Sequence, residues 1–461
     1  MRAVLDKTIA GGMLVALIFT ALAFGANEAW SVGLFELLMT LLLLLWAVKW
    51  VADQAIKVTV PAAVWPLAAL CAFGFVQSLT LSLDREATRG ATTAIFFMLV
   101  AFLLAANFFA TRERLSLLVN LLVAYGLALA VFALVQSFTF DGKIYWVRPT
   151  PFAAFGPFPN RNHYAGYMEM LAPLPFALIA ARAVRRQSWL FYSFAGVLMV
   201  VSVFASLSRG GMMSVVAGIA FVAMLSSRVK PRRAGGRVRD ARLVPTRFER
   251  AMTLGKRLAG AAVIAVVIAI GVFWIGAEGL INRAAESIDQ MKTEAQTPGD
   301  FYSRREIWRD TWQMIRAHPV AGIGLGAYNT VFPNYARHDG HYKVDYAHND
   351  YLQVLSDGGV IAALLALSFI VLIGRAVWRA TRAEDPLEAG LALGCGAGLF
   401  ALLIHSAFDF NLQIPANALL FVFLSALVSR IAATVTERKP AAQAARAARL
   451  EAAGLSTGVS S

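Results

Sequence analysis

The sequence predicts an all-α integral membrane protein of about twelve transmembrane helices, with one long extramembrane loop that contains short helices. Three observations carry this. Of the 461 residues, 58% are hydrophobic and only 15% charged, and mean hydropathy is +0.62, whereas soluble domains are about a quarter charged. The apolar residues gather in runs long enough to cross ~30 Å of hydrocarbon as helix. Those runs are too long and too uniformly apolar for barrel strands, and a helix satisfies its own backbone amides in lipid.

In chain order the runs lie at about 9–25, 32–48, 60–81, 91–110, 115–138, 163–181, 189–207, 211–227, 259–277, 353–374, 387–408 and 415–433. The first has the outline of a secretory signal peptide, "MRAVLDK" before an apolar run and the small residues of "ALAFGA" after it; the expectation is a retained helix. Cys71 and Cys395 fall inside predicted spans. They read as small buried hydrophobes, and no disulfide framework is expected.

Loop charge sets the orientation. With the N-terminus cytoplasmic, the inner loops, counted with Arg430 near the inner end of the last span, hold 28 Lys and Arg and the outer loops 14. The inner loop at about 228–258, "RVKPRRAGGRVRDARLVPTRFERAMTLGKR", supplies 11 of them. This excess puts both termini inside. The net charge of +14 is therefore a topology signal, with no nucleic-acid partner implied, and the basic loop suits anionic lipid head groups. Residues 1–436 read as a single polytopic membrane domain, and the Ala-rich segment 437–461 as a disordered cytoplasmic tail.

On this map residues 278–352 form the long outer loop, where chemistry is expected. Outer arginines are informative because the insertion rule does not ask for them there. Arg209, in "SLSRGGMMS", stands in a break of one or two polar residues between two apolar spans. A guanidinium at that depth needs an anionic or carbonyl partner, which makes it a candidate ligand-binding residue, and Gly210 and Gly211 allow a close approach. Snorkelling to the head groups is the plainer alternative.

In "FYSRREIWRDTWQMIRAHP" the spacing predicts a helix over 303–317 with Arg304, Trp308, Trp312 and Ile315 on one face. Ser303 and Glu306 form a capping box and His318-Pro319 ends the helix. Such a helix is expected at the interface, tryptophans toward the acyl chains and arginines toward head groups or a phosphorylated ligand. Arg304 or Arg305, together with Arg209, would supply forked hydrogen bonds to a diphosphate. "GIGLG" at 322–326 lacks the preceding strand and following lysine of a nucleotide loop and reads as a tight return.

His348, in "VDYAHNDYLQVLSDGG", precedes the tenth apolar run, with Asn349 and Asp350 as capping residues. A helix N-terminus favours neutral imidazole, the form able to accept a proton from a hydroxyl. His338, His341 and His348 lie in a Gly-containing loop, a poor metal-site pattern, so no metal is expected. Two further outer groups are candidates for support: Asn160 and Asn162 in "PNRNHYAGYMEM", and His405 and Asp409 in "HSAFDFNLQIPANA". Ordinary capping and interhelical hydrogen bonding would account for both.

The ordered set "PNRNHYAGYMEM", "SLSRGG", "SRREIWRDTWQMIRAHPVAGIGLG", "AHNDYLQVLSDGG" and "HSAFDFNLQIPANALLF" resembles the O-antigen ligase and polymerase family of bacterial envelope glycosyltransferases. The resemblance covers about 160–425. It implies a GT-C-like fold in the inner membrane, with the active site on the periplasmic side. It also implies transfer of a glycan from undecaprenyl diphosphate to a hydroxyl acceptor, without metal, nucleotide sugar or other cofactor. The acceptor is lipid A-core in ligases and another lipid-linked glycan in polymerases. Residue by residue, it carries diphosphate binding to Arg209 and Arg304, with Arg305 as a neighbour able to share the role, and general-base catalysis to His348. Arg161 stands where the pattern has proline. A lipid-linked oligosaccharide transporter is the alternative from another class; it requires charges along a path through the whole bilayer, whereas here they concentrate at the outer face.

Overall fold

In the computed structural model the long apolar runs that the structure describes are helices. The structure describes residues 2–52, 58–150, 153–229, 255, 304–337 and 343–452. The helices are α1 (Arg2–Leu22), α2 (Ala29–Ala52), α3 (Val64–Thr80), α4 (Arg85–Phe108) and α5 (Arg112–Phe138). A two-stranded antiparallel hairpin follows, β1 (Lys143–Ile144) and β2 (Arg148–Pro149). Next come α6 (Arg161–Leu171), α7 (Pro173–Ala180), α8 (Trp189–Ala205) and α9 (Arg209–Leu225). Then come α10 (Arg304–Ala317), α11 (Tyr328–Val331), α12 (Asp350–Ala380), α13 (Pro386–His405) and α14 (Pro415–Ala452).

Among the described residues, nine helices are long and apolar enough to cross a membrane, fewer than the twelve expected. The difference has three sources. Helix α3 is apolar but has 17 residues. The expected span at 163–181 is broken into α6 and α7 at Ala172-Pro173, because proline lacks an amide hydrogen and its ring displaces the carbonyl four residues earlier. The expected span at 259–277, most of the basic loop and the loop segment 278–303, with its Ser303 cap, lie outside the described residues, as do His338 and His341. Helix α14 continues to Ala452, past residue 436, the expected end of the membrane domain.

Short polar residues start several helices by accepting backbone amides: Asp84 from Ala87, Thr111 from Arg114, Ser208 from Gly211 and Asp385 from Leu387. Helix α13 is the axis of the fold, buried along most of its length and packed on α6, α7, α9 and α14. Gly390, Gly394 and Gly398 form a stripe of small residues on it. A methyl at Gly394 would lie 2.9 Å from the Leu174 Cα, and one at Gly398 would collide with the Met170 carbonyl. Backbone-to-backbone packing of this kind is how helices associate where lipid removes the hydrophobic drive.

The described part of the loop before α12 has a core of its own. Ile307 and Met314 of α10 pack with Ile323, Ala327, Tyr328, Phe332 and Ala347, and Thr311 Oγ1 lies 2.6 Å from the Tyr328 hydroxyl. This corrects the expected lipid-facing role of Trp308. Trp308 packs against the loop core and donates to the Ala347 carbonyl at 2.9 Å, while Trp312 stays exposed. The buried face is Ile307, Thr311, Met314 and Ile315.

The "GIGLG" return is built into this lobe. Gly322, Gly324 and Gly326 all have positive φ, which glycine adopts at no steric cost. The loop rests on a break within α12 at Gly359 (φ 59°, ψ −160°). There the helix amides of Val360 and Ile361 donate to the loop carbonyls of Pro319 and Val320, at 2.9 and 3.3 Å. Gln77 of α3 pins both partners. Its Nε2 donates to Ala321 and Asp357 carbonyls at 2.6 and 2.9 Å, and its Oε1 accepts from Leu325 N at 2.9 Å.

Candidate active site at the α13–α14 turn

The site assembles around the turn between α13 and α14. Asp409 lies in that turn with its side chain 2% exposed, and four partners converge on it. Asn162 Nδ2 of α6 donates to Oδ2 at 2.6 Å. The Arg304 guanidinium, at the head of α10, is 3.8 Å from Oδ2. His348 Nδ1, before α12, is 3.7 Å from Oδ1. The Phe410 amide donates to Oδ1 at 2.8 Å. Burial works to raise the Asp409 pKa, but the adjacent His348 imidazole and the charges around it, Arg304 included, outweigh it and hold the carboxyl well below the usual aspartate range.

His348 is held from its backbone outward. Its φ is +50°, a left-handed conformation uncommon outside glycine and enriched in His, Asn and Asp. The next residue, Asn349, caps α12 by accepting from the Tyr351 and Leu352 amides at 3.0 and 3.1 Å. Asn349 Nδ2 also donates to the Ala407 carbonyl at 2.9 Å. The Asp350 amide donates to Ser406 and Asp409 carbonyls, and its carboxylate accepts from Leu412 N at 3.1 Å. These two residues therefore fasten the head of α12 to the turn that carries Asp409. The Phe410 ring lies edge-on to His348 and to His163, with centroids 4.8 and 4.9 Å apart, and stacks on Tyr346 at 4.5 Å.

Arg209 opens α9 and is exposed. The first turn of that helix lies against His405, since a methyl at Gly210 would collide with the His405 ring. Arg209 and Arg304 thus head the two helices that flank residues 405–409, one beside His405 and one beside Asp409. Arg304 is 48% exposed, open to a ligand on the side away from Asp409. Arg305 is exposed, and of the two neighbours it is Arg304 that meets Asp409. Asn160 caps α6 by accepting from the Asn162 amide at 2.8 Å.

The sequence named Asp409 only as support and did not single out Ser208 and Phe410, which the structure brings to this turn, or Gln77, which it brings to the "GIGLG" return. The signal for Asp409 was a charged residue between two apolar runs, the same signal that singled out Arg209. Beneath the turn, a largely apolar cavity of about 250 Å³ opens among α2, α3, α4, α12 and α14, with Phe35, Met98, Leu325, Gln413 and Pro415 in its wall.

A bundle of apolar helices with a histidine and an arginine gathered on a buried carboxylate is a polytopic membrane protein with a charged cluster at the head of several helices. Residues 194–367 match the model of the O-antigen ligase family, Wzy_C. Over that segment the chain is similar to the O-antigen ligase family, which is a family of glycosyl-transferring membrane enzymes. Arg209, Arg304, Arg305 and His348 lie within the matched segment; Asn162, His405 and Asp409 lie outside it. No curated protein matches the chain.

Proposed function

We propose that this protein is an O-antigen ligase acting at the periplasmic face of the inner membrane, moving a glycan from undecaprenyl diphosphate to a hydroxyl of lipid A-core. The observation that carries the reading is the meeting of Arg304, His348 and Asn162 on one buried carboxylate, Asp409. A proton held on Nδ1 toward Asp409 leaves His348 Nε2 as the base. Nε2 takes the proton of the acceptor hydroxyl while its oxygen attacks the anomeric carbon from the face opposite the diphosphate. The bond to the diphosphate breaks, the leaving oxygen keeps the electron pair, and configuration inverts. Arg209 and Arg304 hold the charge that the diphosphate carries away. Positioning and fixed charge supply most of such a reaction's acceleration. The 3.7 Å between His348 and Asp409 is longer than a hydrogen bond, as apo catalytic contacts often are. The apolar cavity under the turn suits the prenyl chain of the donor.

Purified protein supplied with an undecaprenyl diphosphate-linked oligosaccharide and lipid A-core should transfer the glycan to the core. Growth of the glycan on its carrier, with the core untouched, would instead make it a polymerase. His348→Ala should lower turnover by about 10²–10⁴-fold, and full turnover in a folded His348→Ala protein overturns the mechanism.

A further inference from the structure

We propose that Glu169 and His405 form a positioning pair for the head of α9, setting where Arg209 presents its guanidinium; this rests on the role of Arg209 in holding the diphosphate. The two side chains come from α6 and α13 and are 0% and 1% exposed. His405 Nδ1 lies 3.0 Å from Glu169 Oε2 and 3.2 Å from Oε1. On the other edge of the ring, Nε2 is 3.5 Å from Ser208 Oγ, and Ser208 Oγ accepts the Gly211 amide at 3.2 Å.

The donors and acceptors form a consistent chain. Gly211 N–H donates to Ser208 Oγ, the Ser208 hydroxyl faces His405 Nε2, and His405 Nδ1–H donates to the Glu169 carboxylate. The chain ends on the turn that precedes Arg209. That turn is strained, with Leu207 at φ +57°, a conformation that persists only when its surroundings over-determine it. The surroundings here are specific: the His405 ring fills the space over Gly210, and Ala165 of α6 fills the space over Gly211. A buried polar pair is weak evidence for stability, since well-packed apolar residues would serve as well. Its directed contact with the cap of α9 points to orientation of that helix head.

The test is a double-mutant cycle in the purified enzyme, with donor and acceptor saturation curves for Glu169→Ala, Arg209→Ala and the double variant. Glu169→Ala should lower kcat/KM for the lipid-linked donor by about 10–100-fold and leave the acceptor KM within about twofold, while Glu169→Gln, which keeps an acceptor for Nδ1–H, should recover most of the loss. With Arg209 already alanine, adding Glu169→Ala should change donor kcat/KM by less than about twofold, because coupled residues are non-additive. An equal loss in both backgrounds, or unchanged donor kinetics in Glu169→Ala, overturns the positioning role and leaves the reading of Arg209 standing. Unchanged kinetics in Arg209→Ala alone overturns that reading and the positioning role with it. If Glu169→Ala does not fold, Ser208→Ala, which removes the hydroxyl linking the ring to α9, tests the same coupling with the same criteria.

Discussion

At the scale of single residues, Asp409 organises the proposed chemistry, and its burial makes its charge consequential. Asp409→Asn keeps the shape but loses the anion that meets His348 and Arg304, so turnover should fall at least a hundredfold in a protein that still folds. The depressed pKa gives a second signature. A carboxylate bound more tightly in the folded state contributes stability that is fully present above its unfolded value of about 3.9 and is lost as pH falls through the lower folded value. Thermal unfolding should therefore separate wild type from Asp409→Asn at pH 5 and above, and the two should converge as the pH drops below 3. The neighbouring arginines should differ sharply. Arg304→Ala should abolish most turnover and Arg304→Lys should rescue it poorly, because a point charge does not reproduce the planar fork; Arg305→Ala should stay within a few-fold of wild type. An Arg305→Ala enzyme as impaired as Arg304→Ala would put the diphosphate contact on both.

Secondary-structure elements differed in how far the sequence revealed them. Helix α10 was readable over its described residues, ending at Ala317 as expected, because charged and apolar positions repeat at helical spacing and His318-Pro319 closes it. The capping roles of Asn160 and Asn349 were readable for the same local reason; Asp350, also expected as a cap, is instead the first residue of α12, and its carboxylate accepts the Leu412 amide of the following turn. The break in α12 was not, since apolar residues run on past "SDGG" and nothing local says that another chain segment will supply the missing carbonyls. Those come from Pro319 and Val320, some 40 positions earlier. The Glu169–His405 contact spans 236 positions and was invisible for that reason: each residue looked like an ordinary polar group on its own helix. Gly359→Ala should destabilise the protein by about 1–3 kcal/mol, the cost of a backbone region that is nearly glycine-only, and its Cβ would collide with the Val320 carbonyl. Gln77→Ala should leave buried loop groups unpaired at about 1–3 kcal/mol each. Thermal unfolding in detergent measures both, and unchanged midpoints would mean the loop does not depend on this junction.

For the whole molecule, composition was enough to establish a helical membrane protein, and charge bias was enough to propose its orientation. It was not enough to count the spans, because Pro173 divides one of them and helix length alone does not set the status of α3. The orientation has a direct test: Asn329, exposed at the loop helix α11, replaced by cysteine should react with a membrane-impermeant thiol reagent from the periplasmic side of intact cells, and protection there would reverse the topology. The break at Gly359 also separates two mechanical duties within one helix. The portion that follows, Val360–Ala380, at 1.5 Å per residue is about 30 Å long, the thickness of the hydrocarbon core by itself. Asp350–Gly358 is then surplus to spanning and is fastened to the loop lobe and to the α13–α14 turn. A glycine joint between them would let the spanning portion tilt as bilayer thickness changes without carrying the register between His348 and Asp409 along with it.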